Sequence, residues 1–209
     1  HELFHAWNGL KIDRQQPERL VYWFSEGVTD FYTYVLSLRA GLITLDDYIK
    51  AYNGTLRKYY TSPVQTAPND RIKEDFWENP DVQKLPYQRG NILSHNWNAK
   101  IKRQTGGKSS LDDFMRDFLA AAMTRGVLVS SESVHSLMKP YLKEGVARDL
   151  KNHIEEGRII APDPESLGPC ARMTERDLAP FELGFDWEKS SEKKILRGVI
   201  LERSAYDAG

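Results

Sequence analysis

Residues 20–39 read LVYWFSEGVTDFYTYVLSLR, with aromatic or aliphatic side chains on nearly every face of a helix. A helix apolar on most faces has to be buried at the centre of a domain, with other elements packed around it. The flanking sequence is helical too. Thr44 is placed as the N-cap of a helix over 45–60, with Asp46 and Asp47 set against its dipole. Further helices are predicted over 87–104, stopped at Thr105-Gly106-Gly107, and over 111–124 behind a Ser110/Asp113 capping box. Two more run from Ser130 or Ser131 to about 142 and over 146–156. Residues 1–9 are helix-compatible, with Asn8-Gly9 as the stop, and 61–86 form a long irregular segment with one short helix. After Gly157 the chain turns irregular, with Pro162, Pro164, Pro169 and Pro180, and 195–201 is a short β-branched strand candidate. The expected fold class is mainly α: a helical domain over 1–157, an irregular linker or tail over 158–193, and a β-containing end over 194–209.

Composition narrows the function classes. A chain of 209 residues can bury roughly 70% of its unfolded surface without a disulfide framework. The single cysteine, Cys170, excludes an intrachain disulfide and a Cys-rich zinc finger. A net charge of −1 argues against a general pull toward nucleic acid, and Lys102-Arg103 beside Trp97 reads as a solvated helix face. No apolar run approaches the ~18 residues of a membrane span. His95, His135 and His153 have no ligand spacing with one another and read as surface or packing residues.

The chemistry gathers at the start. His1-Glu2-Leu3-Phe4-His5 is an HExxH motif. On a helix, residues four apart share a face, so two imidazoles can close on one Zn²⁺ while the intervening Glu2 flanks that face as a base. A catalytic zinc needs a third protein ligand and an open position. An HExxHxxGxxH continuation is absent, because position 11 is Lys11. A glutamate on the following helix is present: Glu26 stands inside the apolar WFSEGVTDFY block, where a carboxylate is costly to bury without a partner. Asp30, four residues further on the same face, is placed to accept the second ring N–H of His1 or His5.

These residues sit in a longer pattern. HELFHAWN (1–8), WFSEGVTDFY (23–32), RAGL (39–42), YQRG (87–90) and TGGKSSLDD (105–113) follow one another in the order found in the glycyl aminopeptidases, a family of gluzincin metallopeptidases. The sequence resembles that family over about 110 residues. The resemblance implies the helical part of a thermolysin-like catalytic domain, zinc on His1, His5 and Glu26, and Glu2 as general base and proton shuttle. It also implies that Tyr87, in the YQRG block, stabilises the oxyanion. The implied activity is removal of N-terminal glycine or alanine from peptides. A thermolysin-like endopeptidase and a non-catalytic peptide-binding scaffold are the alternatives.

The same resemblance places a β-rich domain ahead of His1, packing on this part, and a PDZ-like domain after it, whose opening ILRGVILERSAYDAG (195–209) resembles. A chain that starts at His1 is then expected to be a fragment, with its first zinc ligand on an unsupported first helical turn, its zinc site weakened or empty and little peptidase activity of its own. Periplasm and cytoplasm are both compatible with one thiol, and the resemblance favours periplasm.

Overall fold

The computed structural model describes residues 1–169 and 171–177. The expected strand at 195–201, its PDZ-like reading and Cys170 lie outside the described residues. The first compact unit of the chain spans His1–Thr174. It is mainly helical, and among the described residues β-structure is confined to isolated bridges, Asn8 with Ile12 and Arg14 with Val129.

Among the described residues eight α-helices follow in order: α1 Tyr22–Ser25, α2 Gly27–Arg39, α3 Leu45–Tyr60, α4 Asn69–Asp75, α5 Pro80–Thr105, α6 Leu111–Arg125, α7 Ser131–Leu142 and α8 Gly145–Asp149. Their starts are set by local chemistry. Thr44 with Asp47 and Ser110 with Asp113 both form reciprocal capping boxes, and the Ser130 side chain accepts from the Ser133 N–H. α6 stops at Gly126, in the left-handed conformation that glycine tolerates.

Three elements differ from the sequence expectation. Residues 1–9 are not an α-helix: a 3₁₀ turn covers Phe4–Ala6, and the chain then bends back through the Asn8–Ile12 bridge. The 20–39 stretch is a 3₁₀ turn over Glu18–Val21 followed by α1 and α2, with Glu26 at the break between them. α5 begins at Pro80 rather than near Tyr87. Asn79 caps it through the N–H groups of Asp81 and Val82, and Pro80 takes the first-turn position where a missing N–H costs nothing. Pro86 then lies inside the helix, so a proline taken as a boundary is an interior residue.

The 26-residue α5 is the central element, packing against α1, α2, α3, α4, α6 and α7. Val82, Leu85, Ile92, Leu93, Trp97 and Ile101 of α5 are buried. Trp23 meets Trp97 edge-to-face at 6.0 Å, and Phe24 lies 5.3 Å from Phe118 of α6. α1 and α2 cross α5 at two facing glycines. A Cβ on Gly27 would lie 2.4 Å from the Gly90 Cα, and one on Gly90 would lie 1.7 Å from the Trp23 carbonyl oxygen. Only two glycines let the backbones approach this closely, and the crossing sets Glu26 and Tyr87 on neighbouring faces. Arg89, wholly buried next to Gly90, donates from Nη2 to the carbonyls of Gln65 at 3.0 Å and Ala67 at 2.6 Å, tying the 61–68 loop to α5.

Candidate metal centre

His1 and His5 reach one point although no α-helix carries them. The turn is closed by Phe4 N–H to His1 C=O at 2.9 Å and Asn8 N–H to Phe4 C=O at 3.0 Å. Within it the two imidazoles meet edge-to-face, ring centroids 4.7 Å apart. Asn8 fastens this segment to the helices: fully buried, its Nδ2 lies within hydrogen-bond distance of the Phe24 and Ser25 carbonyls and of Thr29 Oγ1. Gly9 follows at φ +138°, and a Cβ there would press on the His5 ring at 3.3 Å.

Each ring has one nitrogen committed. His5 Nδ1 donates to the Asn8 carbonyl at 2.8 Å, and His1 Nδ1 donates to Asp30 Oδ1 at 2.8 Å. In the neutral imidazoles both Nε2 atoms are then lone-pair donors. They point at each other, 3.0 Å apart, and at the same oxygen, Glu26 Oε2, at 3.3 Å from His1 and 3.2 Å from His5. Glu26 is buried, and its other oxygen accepts from Ser25 Oγ at 3.3 Å. Three Lewis bases converge here.

Their spacing fits one ion. A triangle of 3.0, 3.2 and 3.3 Å has a circumscribed radius of about 1.8 Å, slightly less than the ~2.0–2.1 Å bonds zinc makes to imidazole and carboxylate. An ion just off the plane of the three atoms therefore reaches them all. His1, His5 and Glu26 form the one such ligand group among the described residues.

The surroundings carry excess negative charge. Asp30 is pushed up to about 6, first by burial and then by the charge of Glu26. Tyr87, half-buried, lies nearly parallel to the His1 ring with centroids 6.1 Å apart. Burial and the charges of Glu26 and Asp30 push its phenol above the ordinary range, so it keeps its proton and remains a donor. Glu2 is exposed, and among the described residues its carboxylate has no hydrogen-bond or ion-pair partner.

The six residues singled out in the sequence thus divide. The structure brings His1, His5, Glu26, Asp30 and Tyr87 together, with Asp30 on His1 rather than His5, and leaves Glu2 exposed to solvent. Residues 1–79 match the family model of the M61 glycyl aminopeptidases. The similarity to that peptidase family takes in His1, Glu2, His5, Glu26 and Asp30 and ends before Tyr87. No curated protein matches the chain.

Sequence reasoning missed Asn8, Gly27, Gly90 and Arg89. Asn8-Gly9 read as a helix stop, because the same residue types also end helices. Its use as a brace depends on carbonyls 16 and 17 positions away. The two glycines carried no periodic signal of their own. His95 is a packing residue, as expected of it: fully buried, stacked on Tyr52 at 3.9 Å, donating from Nδ1 to the Asn91 carbonyl and accepting from Tyr48. Among the described residues no helix is long and apolar enough to cross a membrane.

Proposed function

We propose that this chain carries the zinc centre of a peptide-hydrolysing enzyme of the gluzincin type, which removes N-terminal glycine or alanine from peptides. The observation that supports it best is the convergence of His1 Nε2, His5 Nε2 and Glu26 Oε2, with both other ring nitrogens hydrogen-bonded to acceptors. The similarity of residues 1–79 to the glycyl aminopeptidase family supports the reaction class.

His1, His5 and Glu26 would hold the zinc. Bound there, it would polarise the scissile carbonyl and acidify a water. The protein's own groups divide the remaining work. Asp30 and the Asn8 carbonyl fix the imidazole tautomers and orientations, as outer partners of metal-binding histidines do. Glu2, next to His1 in the chain, is an exposed carboxylate and is assigned the role of base. It takes a proton from the attacking water and returns it to the leaving amine. Tyr87 keeps its phenolic proton near neutral pH and donates a hydrogen bond where negative charge develops on the carbonyl oxygen.

His1 is held within the chain by its hydrogen bond to Asp30 and by the turn that its carbonyl closes. On this reading the chain itself retains zinc. The test is Glu2→Gln: turnover of glycyl and alanyl peptides should fall by about 10²–10⁴ with zinc content unchanged. Turnover equal to that of the parent chain would overturn the assignment of Glu2, and no turnover in either would favour a binding scaffold.

A further inference from the structure

An open cleft adjoins the candidate metal centre, with a cavity volume of about 960 Å³. That is the upper end of the roughly 300–1,000 Å³ typical of ligand pockets. Asp30 and Tyr87 form its near wall, so the groups that border the ligands also border the cleft. α3 supplies the opposite wall through Ala51, Gly54, Thr55 and Lys58.

Gly54 stands in the interior of α3, where glycine is a much poorer helix former than alanine. Its backbone is ordinary helix, and among the described residues a Cβ there would meet nothing within 4 Å. Neither conformation nor packing against the described residues explains it. What its missing side chain does is keep the cleft wide beside the metal centre. Lys58 lies one turn further along the same helix. It is exposed, and among the described residues it has no ion-pair partner. It lines the cleft together with Asp30 and Tyr87.

We infer that the cleft between α2, α3 and α5 receives the length of peptide adjacent to the scissile bond, with Gly54 setting its width and Lys58 attracting the peptide's terminal carboxylate. The inference rests on the peptidase reading for the direction of the substrate, but binding tests it without turnover. On its α3 wall the cleft presents the small side chains of Ala51 and Thr55 and the bare backbone of Gly54, which leaves room for an extended peptide. Lys84, at the other rim, is engaged by Asp81 at 3.6 Å, so among the described residues lining the cleft Lys58 is the cation suited to an added carboxylate.

The experiment measures binding of Gly-Ala-Ala-Ala and of its C-terminal amide to the zinc-loaded chain carrying Glu2→Gln, by calorimetry. Gly54→Leu and Lys58→Gln are each added to that background. Gly54→Leu raises helix propensity and projects into open space, so the fold should persist, as checked by thermal unfolding and zinc content. It should weaken both peptides at least tenfold. Lys58→Gln should weaken the free-carboxylate peptide about threefold to fivefold, the range of a partly screened ion pair, and leave the amide unchanged. Gly54→Ala, a smaller intrusion, should fall between the parent and Gly54→Leu. Undiminished binding in Gly54→Leu, an equal effect of Lys58→Gln on acid and amide, or no peptide binding at millimolar concentration would each overturn the inference. Cleft binding as expected, together with no turnover of the same peptides by the parent chain with Glu2 intact, would instead refute the peptidase reading alone.

Discussion

Gly90→Ala adds one methyl group at the crossing of α1 and α5. The new Cβ would start 1.7 Å from the Trp23 carbonyl oxygen and 2.7 Å from the Gly27 Cα. Neither obstacle is a side-chain tip that can swing aside, since both are backbone. Bringing the Trp23 contact to the closest tolerated distance needs the helices to part by more than 1 Å, out of an interior packed at crystal density. Helix propensity alone favours alanine by about 1 kcal/mol. Overpacking of this kind costs about 1–3 kcal/mol, and a rigid backbone obstacle puts it at the upper end. The net expectation is a destabilisation of about 2 kcal/mol, or a urea midpoint lowered by roughly 1 M. The site should respond unevenly. His1, His5 and Glu26 are tied to the α1–α2 side, through Asp30, Asn8 and direct connection, whereas Tyr87 rides on α5. Zinc affinity should therefore change less than tenfold, while turnover falls toward that of Tyr87→Phe, about 10²–10³ below the parent. Adding Gly90→Ala to Tyr87→Phe should then cost little further turnover. Urea unfolding, chelator competition and peptide turnover measure the three quantities. A Gly90→Ala chain as stable as the parent would refute the glycine crossing. An unstable one that lost zinc while keeping the Tyr87 contribution would refute the division of the site between the two helices.

Asp30→Asn should leave the fold intact, because the side chain is partly exposed, but weaken zinc binding 10–100-fold through loss of the carboxylate on His1 Nδ1. Competition with a chromogenic chelator reads this directly, and an unchanged affinity would remove Asp30 from the site. His95 supplies a pH test away from the ligands. Burial pushes it down to about 4 from an unfolded value near 6.5, so it folds neutral, with Tyr48 donating to Nε2. Stability linked to it is fully present above pH 6.5 and is lost as pH falls toward 4, by about 3 kcal/mol in all. In metal-free protein, His95→Gln should flatten the pH dependence of urea unfolding over that window. A slope equal to the parent's would show that His95 is not buried neutral.

How much of this was legible beforehand varies with the range of the interactions. Helix starts at Leu45, Leu111 and Ser131 were readable because a cap is decided within four residues. The start of α5 was not, because Pro86 reads as a boundary and only burial of the whole helix overrides it. The ligand set was readable from residue type: HExxH announces itself, and Glu26 is conspicuous within an apolar block. The geometry that unites them was not. HExxH implied an α-helix, whereas a turn that runs into the 3₁₀ segment Phe4–Ala6 and is braced by Asn8 carries it here. The helix break at Glu26, the Gly27–Gly90 contact and the width of the cleft at Gly54 all depend on what faces each residue across the fold. A single sequence does not display such long-range partners.

The central claim is that His1, His5 and Glu26 act together on one zinc ion. The most direct measurement is metal stoichiometry and X-ray absorption on the purified chain, alongside Glu26→Gln. One zinc per chain is expected, with two imidazole nitrogens and a carboxylate oxygen at about 2.0–2.1 Å, and marked loss of affinity in Glu26→Gln. Substoichiometric zinc, or an affinity indifferent to Glu26→Gln, would contradict it.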